Sequence, residues 1–499
     1  MTFSDYDSHD ALGLAELVRN GEVSSLELVD EAIVRIEANG QLNAVIARRF
    51  EEARDRAAGD LGHGPFAGVP WLIKDLATEE GQPVTFGSVF FRDFISPVTS
   101  EIVSRHHQAG FIPLGRTTSP EFGLLPTTES KLFGATRNPW SLEHSTGGSS
   151  GGAAAAVASR IVPMAHASDG GGSIRIPAAN CGVFGLKISR GINPQAPSPN
   201  LEGLGVDHCV SLSVRDSAAL LDATRGPVPG DPWWAPEPER PYLSEVGADP
   251  GRLRIGFSFT DFRGIRAHPD NEHAVTETAG LLERLGHNVE EAKPDLDGDA
   301  FAEAFLLLWA TIPAGIDRLI LDGISDRRGG SAIQKALGGQ MTLRMARALE
   351  GRRAGMPAFE GFTRSLVKLA EKKSPADVWH ARVVLQRQVY RLAEFFSSYD
   401  LLLTPVLGSP PVRIGEIDPE GDFEELVERL YRYVSYTPVA NVGGNPAMSV
   451  PLHWNRDGLP IGVQFTAPFV GDALLLRLAA QLEEARPWRD KRPPAAVTG

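Results

Sequence analysis

The residues most able to do chemistry lie between positions 145 and 187. Two glycine-rich turns, residues 147–152 (G-G-S-S-G-G) and 169–173 (D-G-G-G-S), are separated by an alanine-rich stretch and a short apolar run. Glycines at 170 to 172 leave backbone N–H groups uncovered, and successive N–H groups beside a helix N-terminus bind anions. A serine at the end of such a run would lie beside an oxyanion hole. Ser173 is therefore a candidate nucleophile.

Other motifs fit these turns less well. No lysine follows either turn as a phosphate-binding loop requires, and Ser173-Ile-Arg175 occupies the late positions of a dinucleotide fingerprint. Residues 147–151 formally match G-x-S-x-G, but a turn-like stretch precedes them instead of the strand that a nucleophile elbow needs. Ser365-Leu-Val-Lys368 matches S-x-x-K without the companion motifs of penicillin-recognising enzymes, which favours an exposed helix.

Composition narrows the class of protein. The 499 residues carry 49 basic and 63 acidic side chains, a net charge of −14, and an acidic surface disfavours nucleic acid as a partner. Two cysteines, Cys181 and Cys209, cannot form a disulfide framework. The polar, acidic N-terminus does not resemble a signal peptide, and no apolar run is long enough to span a membrane. We expect a soluble cytoplasmic protein with no membrane partner.

The order of elements that must position these turns predicts an α/β fold. Apolar residues recur at helical spacing over residues 10–58, and a short buried run follows at 69–75. Strands and helices then alternate, which favours a substantially parallel sheet. The predicted strands are 111–115, 161–167, 253–257, 288–292, 401–407, 447–452 and 461–467, and the predicted helices between them are 99–109, 218–224, 271–285 and 381–396.

Two segments bear on domain organisation. Residues 226–250 are rich in proline and predict an extended surface connection, after which a strand resumes at once. Residues 299–380 are mainly helical in pattern and predict a variable cover. We expect one domain over residues 1–499, with the catalytic core at about 60–225 and 400–470.

Three spaced segments together resemble the amidase signature family of serine hydrolases. They are the two glycine-rich turns and residues 68–74 (G-V-P-W-L-I-K), and further matches lie at 134–140, 181–187, 213–216, 441–451 and 458–464. The resemblance is nearly end to end and is weakest over residues 225–430. Residues 65–70, 137–140 and 230–231 look most like the branch of 6-aminohexanoate cyclic dimer hydrolases.

The resemblance implies a large, mixed, mostly parallel twisted sheet covered by helices on both sides. It also implies a Ser-cis-Ser-Lys triad in which Ser173 is the nucleophile, Ser149 relays its proton and Lys74 is the base. A serine hydroxyl needs such a base to attack a carbonyl. A lone lysine is usually exposed, but apolar neighbours in residues 69–73 would bury this one and lower its pKa.

The same resemblance assigns supporting residues. Backbone N–H groups of Gly170, Gly171, Gly172 and Ser173 would hold the attacked oxygen. Ser150 would orient the site, and Asp169 with Arg175 would form an ion pair that braces the glycine turn. Aromatic residues in segments that line the family's pocket are weaker candidates, since aromatic residues more often pack in the core: Phe86, Phe122, Trp309, Tyr433 and Tyr436.

The predicted activity is hydrolysis of a linear or cyclic amide, an anilide or a nylon-type oligomer, with no metal and no organic cofactor. The alternatives are a carbamate (urethane) hydrolase of the same family and an amidotransferase A-type subunit, which needs partner chains. A catalytically inactive amide-binding scaffold is disfavoured because Lys74, Ser149 and Ser173 occur together. The expected partner is a small molecule, and the chain is expected to be a monomer or homodimer.

Overall fold

The computed structural model describes residues 5–198, 202–325 and 359–494. Short 3-10 turns occur at Tyr6–Ser8, Gly40–Leu42, Val89–Phe91, Glu121–Gly123 and Tyr242–Glu245. The α-helices are α1 (Ala11–Asn20), α2 (Ser25–Ala38), α3 (Phe50–Ala57), α4 (Glu101–Gln108), α5 (Gly151–Ala158), α6 (Arg175–Cys181), α7 (Val214–Thr224), α8 (Pro269–Arg284), α9 (Gly298–Ser325), α10 (Gly361–Glu371), α11 (Pro375–Phe395), α12 (Phe423–Tyr433), α13 (Pro438–Gly443) and α14 (Asp472–Ala485).

The strands form one large sheet and three small ones. The large sheet has the order β12-β11-β13-β15-β14-β9-β10-β8, and the small ones are β1-β3-β2, β4-β5 and β6-β7. The strands are β1 (Val45–Ile46), β2 (Pro70–Lys74), β3 (Ile112–Thr117), β4 (Glu129–Ser130), β5 (Gly134–Ala135), β6 (Arg137–Asn138), β7 (Ser141–Ser145), β8 (Met164–Asp169), β9 (Phe184–Lys187), β10 (Val206–Ser211), β11 (Arg254–Phe257), β12 (Asn288–Glu291), β13 (Leu401–Pro405), β14 (Ala447–Trp454) and β15 (Pro460–Thr466).

The large sheet is mixed, but the prediction that it is mostly parallel is wrong for neighbouring strands. Only β12, β11 and β13 pair in parallel, and the other five pairings are antiparallel. The helical crossovers do join parallel strands, as expected: α6 connects β8 to β9, which run the same way. A third strand then inserts between the two and runs opposite to both, β10 in this case and β15 between β13 and β14.

Helices cover both faces of the large sheet. On one face α6 packs on β9, β14 and β15, where Gly462 is so close to the helix that a Cβ would lie 2.6 Å from the Ala179 Cβ atom. On the other face Val463 and Phe465 join a core with residues of α8 and α14. A second core fills the space between the β1-β3-β2 sheet, β8 and helices α1 to α5. All eight residues of α5 are buried, because this alanine-rich helix runs through that core.

These elements bring the three chemistry-bearing segments to one place. Strand β2 ends at Lys74 and contacts β8, which ends at Asp169. Helix α5 begins directly after Ser150, and α6 begins shortly after Ser173. The two glycine-rich turns therefore lie at element ends, where backbone groups are free of ladder hydrogen bonds.

The structure can be compared with the predictions for the proline-rich segment, 226–250, and for the helical cover, 299–380. Residues 226–250 contain only the Tyr242–Glu245 turn as regular structure. The predicted cover, 299–380, holds α9, α10 and the start of α11, while its middle, residues 326–358, lies outside the described residues. Within the described chain, one helix is long and apolar enough to match a membrane span by length and composition: Gly298–Ile316 in α9, with a mean hydropathy of 1.4 over a window that is 33% buried.

Candidate active site

Lys74 lies at the end of a fully buried strand. Each residue of β2 is buried, and the strand pairs in parallel with β3. The Lys74 side chain is 0% exposed, and its Nζ donates to Ser149 Oγ at 2.8 Å and to Ser168 Oγ at 3.0 Å. A third contact, 3.2 Å, joins Nζ to the Ser168 carbonyl oxygen. The amine is thus held by hydroxyl groups at the junction of the two turns.

Burial controls the charge of this amine. Loss of water around Nζ lowers the pKa of Lys74 to about 7, although the negative charges of Asp207 and Asp169 oppose the shift. A lysine with such a pKa is largely neutral just above neutral pH, so it has a lone pair with which to accept a proton. The buried setting that the apolar residues 69–73 predicted is present.

The two glycine-rich turns are hydrogen-bonded to each other. The peptide between Gly148 and Ser149 is cis, as the resemblance implied. The next amide, Ser150 N–H, donates to the Ser173 carbonyl oxygen at 3.3 Å, and Ser150 Oγ donates to the Ser168 carbonyl oxygen at 3.3 Å. Ser173 itself is 8% exposed. The structure therefore brings together the segments of Lys74, Ser149 and Ser173, which are 75 and 24 positions apart in sequence.

Asp169 and Arg175 form a fully buried ion pair beneath the second turn. Arg175 Nε and Nη2 donate to the two carboxylate oxygens at 3.0 Å each, and Asn441 Nδ2 donates to Asp169 Oδ1 at 2.9 Å. Burial alone would raise the pKa of this carboxyl, but the Arg175 charge and these hydrogen bonds hold it well below its usual range. Arg175 also donates to Gln464 Oε1 at 2.8 Å. The pair ties the turn to distant parts of the chain.

One of the four predicted oxyanion donors is already engaged. Gly172 N–H donates to Asp169 Oδ1 at 2.7 Å, so this amide points at the carboxylate. In the described chain, the amides of Gly170, Gly171 and Ser173 have no hydrogen-bond partner. Glycine is required at 172, where φ is +137° and a Cβ would lie 2.4 Å from Thr437 Oγ1. The structure therefore leaves three candidate donors instead of four.

Ser173 opens onto a large cavity. The space is about 890 Å³ when the open solvent at its mouth is included. Ser173, Gly148 and Gly171 form part of its floor. Its wall is mainly apolar and includes a row of side chains on α9 and the end of α12: Phe301, Phe305, Leu306, Trp309, Leu430 and Val434.

Of the five aromatic residues predicted for the pocket, the structure brings only Trp309 to the cavity wall. Phe86 and Phe122 pack with Phe91 in a separate aromatic cluster. Tyr433 is buried and accepts a hydrogen bond from Asn180 Nδ2 at 3.0 Å, and Tyr436 donates to the Phe259 carbonyl oxygen at 3.0 Å. These four side chains pack against, or hydrogen-bond to, other groups of the protein and do not line the cavity.

The sequence held a signal for Phe301 and Phe305, which were missed. Together with the predicted Trp309 they recur every four positions, which places the three on one face of a helix. Their rings stack in succession, at 5.9 Å and 5.5 Å between centroids. The ring of Trp309 faces Gly170, and that of Phe305 faces Gly171. The helical spacing of aromatic residues thus indicates the cavity wall better than their occurrence in segments that line the family's pocket.

His166 contacts the backbone of Lys74. Its Nδ1 accepts a hydrogen bond from the Lys74 backbone N–H at 3.3 Å, and its Nε2 lies 3.1 Å from Asp207 Oδ1.

Both cysteines are buried thiols whose pKa values burial raises, so they do not resemble nucleophiles. Across the described part of the chain, no group of three or more His, Cys, Asp or Glu side chains could hold a metal ion.

The sequence is similar to those of known amidases. The amidase family model matches residues 27–476. The chain is 36% identical to the 6-aminohexanoate-cyclic-dimer hydrolase of Pseudomonas sp. (strain NK87), over 97% of this chain and 96% of that protein. It is also 36% identical to the putative amidase AmiC of Mycobacterium leprae (strain TN), over 96% of this chain and 95% of that protein.

Solved structures give the same answer. A 6-aminohexanoate cyclic dimer hydrolase complexed with substrate matches with a TM-score of 0.86 and 34% identity, covering 99% of this chain and 100% of that one. A bacterial aryl acylamidase matches with a TM-score of 0.83 and 28% identity, covering 98% and 99%. The chain therefore belongs to the amidase signature family, as the motifs predicted, and is an enzyme that hydrolyses carbon–nitrogen bonds other than peptide bonds.

Proposed function

We propose that this enzyme hydrolyses a small-molecule amide through a Ser173–Ser149–Lys74 triad and an acyl-enzyme. One observation carries the proposal: a fully buried lysine with a pKa of about 7 lies 2.8 Å from the Ser149 hydroxyl, beside the cavity onto which Ser173 opens. An amine that is neutral near pH 7 can accept a proton through an intervening hydroxyl. Surface lysines, which stay charged, cannot act in this way.

The proposed reaction has two halves. Ser173 Oγ attacks the carbonyl carbon while its proton passes to Ser149 Oγ, whose own proton moves to Lys74 Nζ. The tetrahedral intermediate then expels the amine, which takes a proton back through Ser149, and an ester to Ser173 remains. Water repeats the same transfers on this ester and releases the acid. The lysine is neutral again at the end of each half.

Backbone donors stabilise the charge that develops on the attacked oxygen. We assign this role to the amides of Gly170, Gly171 and Ser173, since Gly172 N–H is held by Asp169. Asp169 and Arg175 keep the turn in place, because their ion pair also anchors it to Asn441 and to Gln464. Ser150 joins the two turns, because its amide donates to the Ser173 carbonyl oxygen.

The cavity favours amides with a bulky apolar portion. Its wall contains the aromatic rings of Phe301, Phe305 and Trp309, which match alkyl chains or aryl groups. The relatives point the same way: one is named for hydrolysis of the 6-aminohexanoate cyclic dimer and another for aryl acylamides. We propose linear or cyclic amides and anilides of this kind as substrates. We also propose that the chain forms a single domain.

Labelling with a fluorophosphonate probe tests the triad. Wild-type protein should be labelled and should release aniline from an anilide, and Ser173→Ala should do neither while its thermal unfolding is unchanged. Ser365→Ala is the matched control, because Ser365 belongs to the competing S-x-x-K motif on α10, and it should behave like the wild type. Labelling that survives Ser173→Ala would contradict the assignment. A panel with anilides, nylon-type oligomers and carbamates would rank the substrates.

A further inference from the structure

The carbonyl oxygens of the second glycine-rich turn are engaged by the protein. That of Gly171 accepts from the Thr437 hydroxyl at 2.6 Å. That of Gly172 accepts from the Ile176 amide at 2.7 Å. The amides of Gly171 and Ser173, by contrast, have no hydrogen-bond partner among the described residues. An anion site needs this arrangement, because a carbonyl oxygen turned toward the developing charge would repel it.

The peptide between Gly171 and Gly172 (the glycine peptide) is held at both ends. Its carbonyl oxygen accepts from Thr437 Oγ1, and its N–H donates to Asp169 Oδ1 at 2.7 Å. The carbonyl and the N–H of a trans peptide point in opposite directions, so the two partners lie on opposite sides of the chain. Glycine on either side of a peptide leaves its plane with little conformational preference of its own. The two hydrogen bonds therefore set the orientation of the glycine peptide.

Thr437 is itself fixed in place. It is 0% exposed, and it directly precedes α13, which begins at Pro438. Its carbonyl oxygen accepts from Arg175 Nη1 at 2.9 Å, and Arg175 Nε donates to Asp169 Oδ2 at 3.0 Å. The two partners of the glycine peptide are thus tied to each other through Arg175. Residues locked by packing and by further hydrogen bonds can hold a site in the geometry that catalysis needs.

We propose that Thr437 is a positioning residue for the oxyanion site, which orients the glycine peptide so that the Gly171 and Ser173 amides converge on the attacked oxygen. With Asp169 as its only partner, the glycine peptide could pivot about one hydrogen bond, and the amides on either side would turn with it. Thr437 does not line the cavity, so it acts through the turn alone. The inference rests on the proposed amide hydrolysis and adds a residue to its machinery.

Removal of the hydroxyl tests this role. Thr437→Val keeps the shape of the side chain but offers no donor to the Gly171 carbonyl oxygen. With a hexanoyl nitroanilide as substrate, we expect kcat to fall by about tenfold to a hundredfold, somewhat less than the loss of an oxyanion donor itself would cost. KM should change by less than about threefold. Thr437→Ser keeps the hydroxyl and should hold kcat within about threefold of the wild type.

Thr224→Val is the matched control. Thr224 is also 0% exposed, and its hydroxyl donates to the Leu220 carbonyl oxygen at 2.7 Å within α7, away from the residues that line the cavity. A fall in thermal stability from the loss of such a bond should appear in both variants, but kcat per folded molecule should fall only in Thr437→Val. If Thr437→Val does not fold, Thr437→Ala removes the hydroxyl without crowding the turn and should show the same fall in kcat.

A pair of ligands separates an effect on the oxyanion from a change in the cavity. Ser173 Oγ adds to the carbonyl carbon of pentyl trifluoromethyl ketone, so the ketone oxygen becomes an oxyanion and the serine proton passes through Ser149 to Lys74. The corresponding alcohol has nearly the same shape but forms no such bond. Thr437→Val should bind the ketone about tenfold to a hundredfold more weakly than the wild type does, in parallel with kcat, and should bind the alcohol equally well.

The outcomes separate this inference from the proposed function. An unchanged kcat in Thr437→Val, or equal weakening of ketone and alcohol binding, would overturn the positioning role while the triad stands. A Thr437→Ser variant as slow as Thr437→Val would overturn it too, because the methyl group and not the hydroxyl would then be the part that matters. If the wild type neither hydrolyses the anilide nor forms a probe label on Ser173, the proposed function itself fails.

Discussion

Two buried lysines, Lys74 and Lys187, have similarly lowered pKa values and differ in their hydrogen-bond partners. Each is 0% exposed, and burial lowers the pKa of each to about 7. Asp169 lies near both and raises both pKa values. A perturbed pKa is therefore not enough to identify a catalytic lysine in this protein, although such shifts are often used for that purpose.

The difference lies in what each amine touches. Lys74 Nζ contacts the hydroxyls of Ser149 and Ser168, which can both donate and accept, as well as the Ser168 carbonyl oxygen. Lys187 Nζ donates to the carbonyl oxygens of Ile188 at 2.9 Å and Asn445 at 2.7 Å, which only accept. A hydroxyl partner can take part in proton transfer to the amine, whereas a carbonyl partner can only accept a hydrogen bond from the amine and hold it in place. We therefore assign chemistry to Lys74 and structural support to Lys187.

The largest expected effect comes from Lys74→Met. Loss of the base should lower kcat by about 10³-fold or more, as loss of a triad member does elsewhere. The midpoint of thermal unfolding should not fall, because the serine hydroxyls can rotate to other partners and a buried amine is costly in itself. Steady-state kinetics and calorimetry on the same preparation measure both. Retained turnover would remove the distinction between the two lysines.

Lys187→Met should show the reverse pattern. Two buried carbonyl oxygens would lose their donor, at a cost of about 1–3 kcal/mol each. Denaturant titration should show this loss of stability, while kcat per folded molecule should stay within about threefold of the wild type. A fall in kcat like that of Lys74→Met, in protein that is still folded, would show that Lys187 takes part in the reaction.

The pH dependence of the reaction should report Lys74. Since the lysine must be neutral to accept a proton, kcat/KM should decline below pH of about 7, its pKa, by about tenfold per pH unit. It should level off above that value. Lys187→Met should leave this limb in place, because the second lysine is not a base in the proposed reaction. A rate that is flat from pH 5 to 8 would contradict a lysine base.

The smallest expected effect is that of Asp207→Asn. The Asp207 charge raises the pKa of Lys74 but is not among the influences on Lys187. Its removal should move the acid limb of kcat/KM to lower pH, with kcat at pH 8 changed by less than about tenfold, as expected for a residue that does not touch the substrate. Asp207→Glu, which keeps the charge, should leave the limb near its original position. No movement of the limb in Asp207→Asn would show that the charge is not felt at Nζ.

Regular elements with strong apolar patterns were predictable from the sequence. The predicted strands at 253–257, 288–292, 401–407, 447–452 and 461–467 all overlap observed strands, and the predicted helices overlap α4, α7, α8 and α11. Strand β10 was missed, because its residues Val206–Ser211 include polar side chains such as His208, whose Nε2 is paired with Ser217 Oγ at 2.8 Å. Tertiary hydrogen bonds make such a segment suitable for burial, and its local pattern does not show them.

The sequence alone predicted the order of α/β elements from local residue patterns, and its resemblance to the amidase signature family implied the family and Lys74, Ser149 and Ser173 as the candidate triad. Only the tertiary structure decided which buried lysine meets a hydroxyl, which glycine amide is already engaged and which aromatic residues line the cavity. Each of these depends on groups far apart in the chain, such as Lys74 and Ser149. Such contacts arise when strands and helices pack, and packing is a property of the whole fold.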